Sequence, residues 1–266
     1  MISLIIIHYQ TSDILAQTLA AFAEPFGLPG CELIVVDNAS LGYRAEILRD
    51  LFPQVRWLLL EENSGFGKAA NRAAKSASGE HLIFLNGDCF ILPEQLDEAC
   101  RIAEGLKSAG IVGFRQVTPE GTPQLTFGKF PTLFSELQRR KLQRALDIDK
   151  ATWAIEEIEG KGGLPFETDW VSGSCFWIRK EVFEKAGGFD ERFFMYYEDI
   201  DLCRRVQKLG LKVYHSPHPR VLHLHGASAE KNPNIARKAY RQSQLYFAGK
   251  YKGPLAAWAT RAYQKL

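Results

Sequence analysis

Apolar positions follow two alternating rhythms along the first part of the chain. Residues 3–7 form an unbroken β-favouring run, as expected of a strand covered on both faces. Ile14, Leu15, Leu19 and Phe22 then fall on one helical stripe. "ELIVVDNAS" repeats the strand pattern and ends in polar residues, and Tyr43, Ile47, Leu48 and Leu51 mark a short helix. "VRWLLL" predicts a third strand. It leads through "EENSG" into a helix whose buried face is Phe66, Ala69, Ala70, Ala73, Ala74 and Ala77. "HLIFLNGD" predicts a fourth strand, and 94–109 a helix stopped by Gly110. This alternation predicts an α/β fold with a mostly parallel central sheet flanked by helices. Ligands of such sheets bind beyond the carboxyl ends of the strands, where "HYQT", "DNAS" and "NGD" gather polar groups.

The second half has a weaker rhythm. From about 114 to 168 the pattern gives a polar stretch, a basic amphipathic helix near 135–146, and a loop at "EGKGGLPFE". Order returns with a strand at "SCFWI" and a short helix over 180–186 stopped by Gly187 and Gly188. A helix over 199–209 follows, with Leu202, Cys203, Val206 and Leu209 on one face and Gly210 after it. "LKVYHS" and "PRVLHLH" predict two more short strands. With no clean linker, residues 1–228 read as one domain: a ligand-binding half over 1–113 and a second half over 114–228. Residues 229–266 read as a basic, aromatic helical tail.

Composition narrows the class. The 266 residues are 46% hydrophobic and 24% charged with a formal net charge of +2, which does not suggest a nucleic-acid binder. Cys31, Cys89, Cys100, Cys175 and Cys203 are scattered and odd in number, as expected of reduced thiols in a cytoplasmic protein. "MISLIIIHYQ" lacks the basic start of a signal peptide, and no apolar run reaches the roughly 18 residues of a membrane span.

Several polar positions carry chemistry. Asp37 ends a buried strand, where it caps a turn or accepts a hydrogen bond from a nucleobase or ribose. Asp88, two residues after Asn86, either belongs to a turn with Gly87 at positive φ or holds a hard divalent cation. His223 and His225 share one face of a strand and are candidate metal ligands, without the spacing of a zinc site. "NSGFGKAAN" mimics a dinucleotide fingerprint, with Asp88 about twenty residues on, but it follows the third strand rather than the first. In "MYYEDIDLCRR", Glu198, Asp199 and Asp201 crowd the start of a helix, where carboxylates cap and a general base can stand. Trp170, Tyr196 and Tyr197 fit either the core or the face of a sugar ring.

Together "IIIHYQ", "LIVVDNAS", "NSGFGKAAN", "FLNGD" and the long run from Trp170 to Ser228 resemble glycosyltransferase family 2, most closely its bacterial rhamnosyltransferase-type branch. The resemblance implies a GT-A fold and inverting transfer of a sugar from a nucleotide diphosphate, with Mn²⁺ or Mg²⁺ as cofactor. It implies that Asp37 binds the base, that Tyr9 and Thr11 line the nucleoside, and that Asn38, Gly65, Asn71 and Asn86 lie on the nucleotide side. Asp88 and His223 would hold the cation, with His225 as second choice. Asp199 would be the catalytic base and Glu198 its acceptor-side neighbour. Asp201 would be structural or contact the acceptor. Gln10 and Gly87 depart from the family's usual asparagine and proline or threonine. The implied donor is dTDP-rhamnose, with UDP- and GDP-linked sugars open, and the implied acceptor is a lipid-linked or surface glycan. A catalytically silent nucleotide-sugar binder and an NAD-dependent dehydrogenase are the alternatives.

The tail adds a partner. Residues 230–266 carry Lys231, Arg237, Lys238, Arg241, Lys250, Lys252, Arg261 and Lys265 against Glu230 alone, interleaved with aromatic residues. Such a segment either lies on the inner face of an anionic membrane or packs on the domain with a solvated basic face.

Overall fold

The first four strands are parallel and end level with one another. In this computed structural model, which describes residues 1–23, 30–40, 44–148, 151–159, 163–224 and 233–264, β1 (Ile2–His8) lies between β2 (Cys31–Asp37) and β4 (His81–Asn86). Its register sets His8 opposite Asp37 and Ile7 opposite Asn86. β3 (Arg56–Leu59) forms the outer edge. The connections are α1 (Ser12–Ala21), α2 (Arg44–Leu51) and α3 (Phe66–Ser76). β5 (Cys89–Phe90), α4 (Pro93–Gly105) and β6 (Ala109–Val117) follow. A two-stranded sheet pairs β7 (Phe127–Gly128) with β9 (Trp170–Val171). Between them in sequence come α5 (Leu133–Asp147), α6 (Thr152–Glu159) and β8 (Phe166–Glu167). β10 (Cys175–Arg179), α7 (Lys180–Lys185), α8 (Glu198–Lys208), β11 (Lys212–His223), α9 (Pro233–Lys252) and α10 (Pro254–Tyr263) complete the chain. Among the described residues the main sheet runs β3-β2-β1-β4-β10-β6-β11-β5, with β8 added on β11.

Alternation along each strand divides the core into two layers. Leu4, Ile6, Val35, Ile83 and Leu85 face α1 and α4, while Ile5, Ile7, Val36, Leu82 and Phe84 face α3 and α8. Both faces are covered, which is why these strands read as continuous apolar runs. Phe84, Phe176, Phe183 and Phe189 interlock on the second face at centroid distances of 5.0–6.2 Å.

The structure departs from the sequence pattern at three places and decides a fourth, open one. α2 buries Leu48 but leaves Ile47 and Leu51 more than half exposed. Gly110 does not stop a helix; α4 ends at Gly105 and Gly110 lies in β6. A Cβ there would meet Val206 at 2.3 Å, and one on Gly113 would meet Val171 at 2.5 Å. These glycines let α8 and β9 sit directly on β6. The two short strands expected after Gly210 are one strand, β11, with an irregularity between Ser216 and Val221. Trp170 and Tyr197 are core residues: the indole donates to the carbonyl of Lys129, and Tyr197 packs on Tyr240 and Phe247.

α9 is part of the domain. Phe247 enters the main core, and Ser243 Oγ donates to the Met195 carbonyl at 2.8 Å. No helix among the described residues is long and apolar enough to cross a membrane.

Candidate active site

Antiparallel β10 brings the second half of the chain to the carboxyl edge of the first. Cys175 pairs with Leu85, so Ser172–Gly173–Ser174 stand beside the end of β4, and the Asn86 amide donates to the Ser174 carbonyl at 2.9 Å. At the far edge β5 pairs with the end of β11, setting His223 opposite Cys89. The Leu224 amide on the Asp88 carbonyl fixes that register.

Asp88 and His223 therefore meet, with Nε2 of the imidazole 3.4 Å from Oδ1 of the carboxylate, both buried. Cys89 Sγ lies within 4.8 Å of the same atoms. Burial, and then the neighbouring Asp88 charge, push the Cys89 thiol well above its ordinary range, and its S–H donates to the Ser174 carbonyl. One carboxylate and one imidazole, with this sulfur beside them, suit a cation that takes its other ligands from substrate oxygens and water. His225 lies outside the described residues. Gly87 and Asp88 do form a turn between β4 and β5, but Gly87 is not at positive φ. It is required for space, because a Cβ would stand 2.6 Å from Thr11 Oγ1 and 3.0 Å from His8 Cα.

Across Ser172–Ser174 lies the acidic helix start. Asp199 Oδ2 accepts the Gly173 amide and Oδ1 the Ile200 amide, both at 2.8 Å. Burial raises its proton affinity above that of an ordinary aspartate, and the two amides partly offset this. Glu198 is buried, and its Oε2 has no hydrogen-bond partner among the described residues. Burial first, and then the adjacent Asp199, raise its pKa well above the usual glutamate range. The two residues before the helix, Tyr196 and Tyr197, both hold φ of 69°, a left-handed conformation that non-glycine residues rarely adopt. α9 helps to hold this turn through Ser243 on Met195 and Tyr240 against both tyrosine rings.

Asp201 is a structural residue. It is fully buried and accepts from Arg205 at 2.8 Å, Lys250 at 2.5 Å and Tyr251 at 2.7 Å. Lys250 also reaches Asp190 at 2.8 Å.

The expected nucleotide-side residues divide into two groups. Asp37, Tyr9 and Asn86 stand at or just beyond the strand ends, and Asp37 Oδ1 accepts the Ser40 amide. Thr11 is buried, with Oγ1 3.0 Å from His8 Nδ1. Asn38, Gly65 and Asn71 organise the chain itself. Asn38 ties to Asn63 Oδ1 and to the Ser64 amide. The Asn71 amide clamps both backbone polar groups of Phe189. At Gly65, φ +81, a Cβ would lie 2.1 Å from the Phe194 carbonyl oxygen, and at Gly67 one would lie 3.0 Å from Phe189 Cβ. The space beside these glycines is filled by the 189–194 segment, so "NSGFGKAAN" is not a dinucleotide fingerprint.

The chain matches the family model described as glycosyl transferase family 2 over residues 3–187. The chain belongs to glycosyltransferase family 2. A second model, described as the N-terminal domain of galactosyltransferase, matches residues 161–227. The chain is 28% identical to the N-acetylglucosaminyl-diphospho-decaprenol L-rhamnosyltransferase of Mycobacterium tuberculosis over 249 residues, covering 86% of this chain and 79% of that protein. In fold it is similar to the mannosyltransferase PcManGT from Pyrobaculum calidifontis, solved with GDP-Man and Mn²⁺, with a TM-score of 0.60, 16% identity, and coverage of 98% and 69% of the two chains. It is also similar to TarS 1-349 of S. aureus, with a TM-score of 0.56 and 19% identity, covering 92% of this chain and 65% of that one. The fold is GT-A, and the protein is a glycosyltransferase of the rhamnosyltransferase-like bacterial branch. The dehydrogenase reading is overturned.

One part of this transferase's site escaped the sequence reading. Gln116 is fully buried; its Oε1 accepts from Ser174 Oγ at 2.8 Å, Ser174 Oγ lies 2.7 Å from Ser172 Oγ, and its Nε2 has no partner among the described residues. The chain of polar groups runs between the Asp88 and Asp199 sides. "SGS" beside an apolar strand was the available signal.

Proposed function

We propose that this transferase moves rhamnose from dTDP-rhamnose, with inversion, to a hydroxyl of a lipid-linked or growing surface glycan at the cytoplasmic face of a membrane. The observation that carries the mechanism is the division of carboxylates at one sheet edge: Asp88 beside an imidazole, and Asp199 anchored by two backbone amides. The resemblance to rhamnosyltransferases and the name of the mycobacterial relative support the sugar and the lipid-linked acceptor.

Asp37 and Tyr9 receive the nucleoside at the ends of β2 and β1. Asp88 and His223 would hold Mn²⁺ or Mg²⁺, which would supply charge stabilisation to the leaving diphosphate. Asp199 accepts the proton of the acceptor hydroxyl as that oxygen attacks the anomeric carbon and the diphosphate departs from the opposite face. Fixed by Gly173 and Ile200, its carboxylate is pre-oriented and needs no reorganisation as the proton moves. Glu198, enclosed beside the base, has its pKa raised by burial and then by the adjacent Asp199, which disfavours a second negative charge there.

Calorimetry with dTDP tests the donor side. Binding to the wild-type chain should strengthen with Mn²⁺, and Asp88→Ala should abolish that gain. Equal Mn²⁺-dependent affinity in both proteins contradicts the assignment of Asp88.

A further inference from the structure

The basic tail contains two helices with opposite relations to the domain. α9 is buried along one side and spends Lys250 on Asp190 and Asp201. α10 folds back on α9 and touches it with one face only. Ala257 Cβ lies 3.7 Å from where a Cβ on Gly249 would stand, and the Gln264 amide donates to the Arg241 carbonyl at 3.0 Å and to Gln244 Oε1 at 2.8 Å. The opposite face is apolar and open. Leu255 is 82% exposed and Trp258 71%, and Ala259 and Ala262 are exposed with them. Positions 255, 258, 259 and 262 form one stripe at helical spacing.

We infer that the Leu255–Trp258 face of α10 is a docking surface for an anionic lipid bilayer. The charge around it selects that occupant. Residues 233–264 contain no Asp or Glu. With Lys250 taken by two aspartates and Lys252 on the Pro131 carbonyl, Arg237, Lys238, Arg241 and Arg261 remain exposed on the hairpin. α5 adds Arg140, whose guanidinium lies 5.0 Å over the Tyr263 ring. An apolar stripe with a tryptophan, framed by cations and free of acids, is the pattern of a helix lying in the headgroup boundary. The helix spans Pro254–Tyr263, ten residues, half the roughly 20 needed to cross a bilayer, so it lies on the surface. A second copy fits less well. Two anchors on so short a helix fall far below the roughly 1,200–2,000 Å² of a stable protein interface, and pairing like faces would bring like charges together.

This surface lies outside the residues assigned to donor, cation and base. Its test uses no sugar, so its failure would leave the transferase reading untouched. Full-length protein and a Leu255→Ser, Trp258→Ser double variant are floated with phosphatidylglycerol-containing vesicles and with pure phosphatidylcholine vesicles. Wild type should float with the anionic vesicles alone, and less at high salt. The double variant should lose about a hundredfold in partitioning, since each of the two apolar anchors removed from lipid is worth about tenfold. Its thermal midpoint and dTDP binding should be unchanged. Wild type that stays unbound at low salt, or a variant that floats equally well, overturns the inference. So does a wild-type dimer in sedimentation that the double variant abolishes, because a second copy then covers the face.

Discussion

The amide of Gly173 donates to Oδ2 of Asp199 at 2.8 Å, joining the loop before β10 to the first turn of α8. Ser174, the next residue, holds the end of β4 through the Asn86 amide. One short segment thus links the strand that leads to Asp88 with the carboxylate assigned as base. A Cβ on Gly173 would come within 3.4 Å of Asp199 Cβ, so the approach is close without being blocked.

Glu198 makes stability depend on pH. Burial, and then Asp199, raise its pKa in the folded state, so the folded chain keeps a proton that the unfolded chain releases. The contribution is fully present below the ordinary glutamate pKa and is lost as pH rises through the folded value. Glu198→Gln removes that loss. In urea denaturation it should stabilise the protein more at about pH 8 than at about pH 5. The same change at both values contradicts the assignment.

Asp201 holds α9 to α8. Asp201→Ala removes one acceptor from each of Arg205, Lys250 and Tyr251 beside a buried site, while Lys250 keeps Asp190, and should cost about 3 kcal/mol of stability, the low end for a broken buried pair. Denaturant melts measure this directly. Had Asp201 contacted the acceptor, the variant would keep its stability and lose acceptor affinity instead.

Gly65 and Gly30 separate two costs of a side chain. Both have positive φ, +81° and +78°, but a Cβ on Gly30 meets nothing within 4 Å while one on Gly65 strikes the Phe194 carbonyl. Gly30→Ala should cost about 1 kcal/mol, from the backbone alone. Gly65→Ala should cost clearly more and lower the transfer rate, because it displaces the segment that leads into α8. Equal melting shifts for the two variants contradict this account.

The strands of the first half were legible because both their faces are buried, which leaves continuous apolar runs. β6 was not, because Gly110 read as a helix stop when it and Gly113 are close-packing positions under Val206 and Val171. Pro217 and Pro219 made β11 read as two strands. Asp88 and Asp199 stood out as strand-end and helix-start acids, whereas the contact of Asp88 with His223 depends on the pairing of β5 with β11, a long-range register that no local pattern carries. The tail's eight cations gave no sign that Lys250 sits between two aspartates.

The central claim is that Asp199 takes the proton while other groups bind the donor. Its most direct test is Asp199→Asn, with transfer from dTDP-rhamnose to a defined acceptor measured beside calorimetric dTDP affinity. Asn keeps an oxygen for only one of the Gly173 and Ile200 amides, loses the acceptor of the other, and accepts no proton. The account predicts a folded protein with a lowered melting temperature, kcat lower by about a hundredfold or more, and dTDP affinity close to wild type. A folded Asp199→Asn protein that transfers sugar at a near wild-type rate would contradict it.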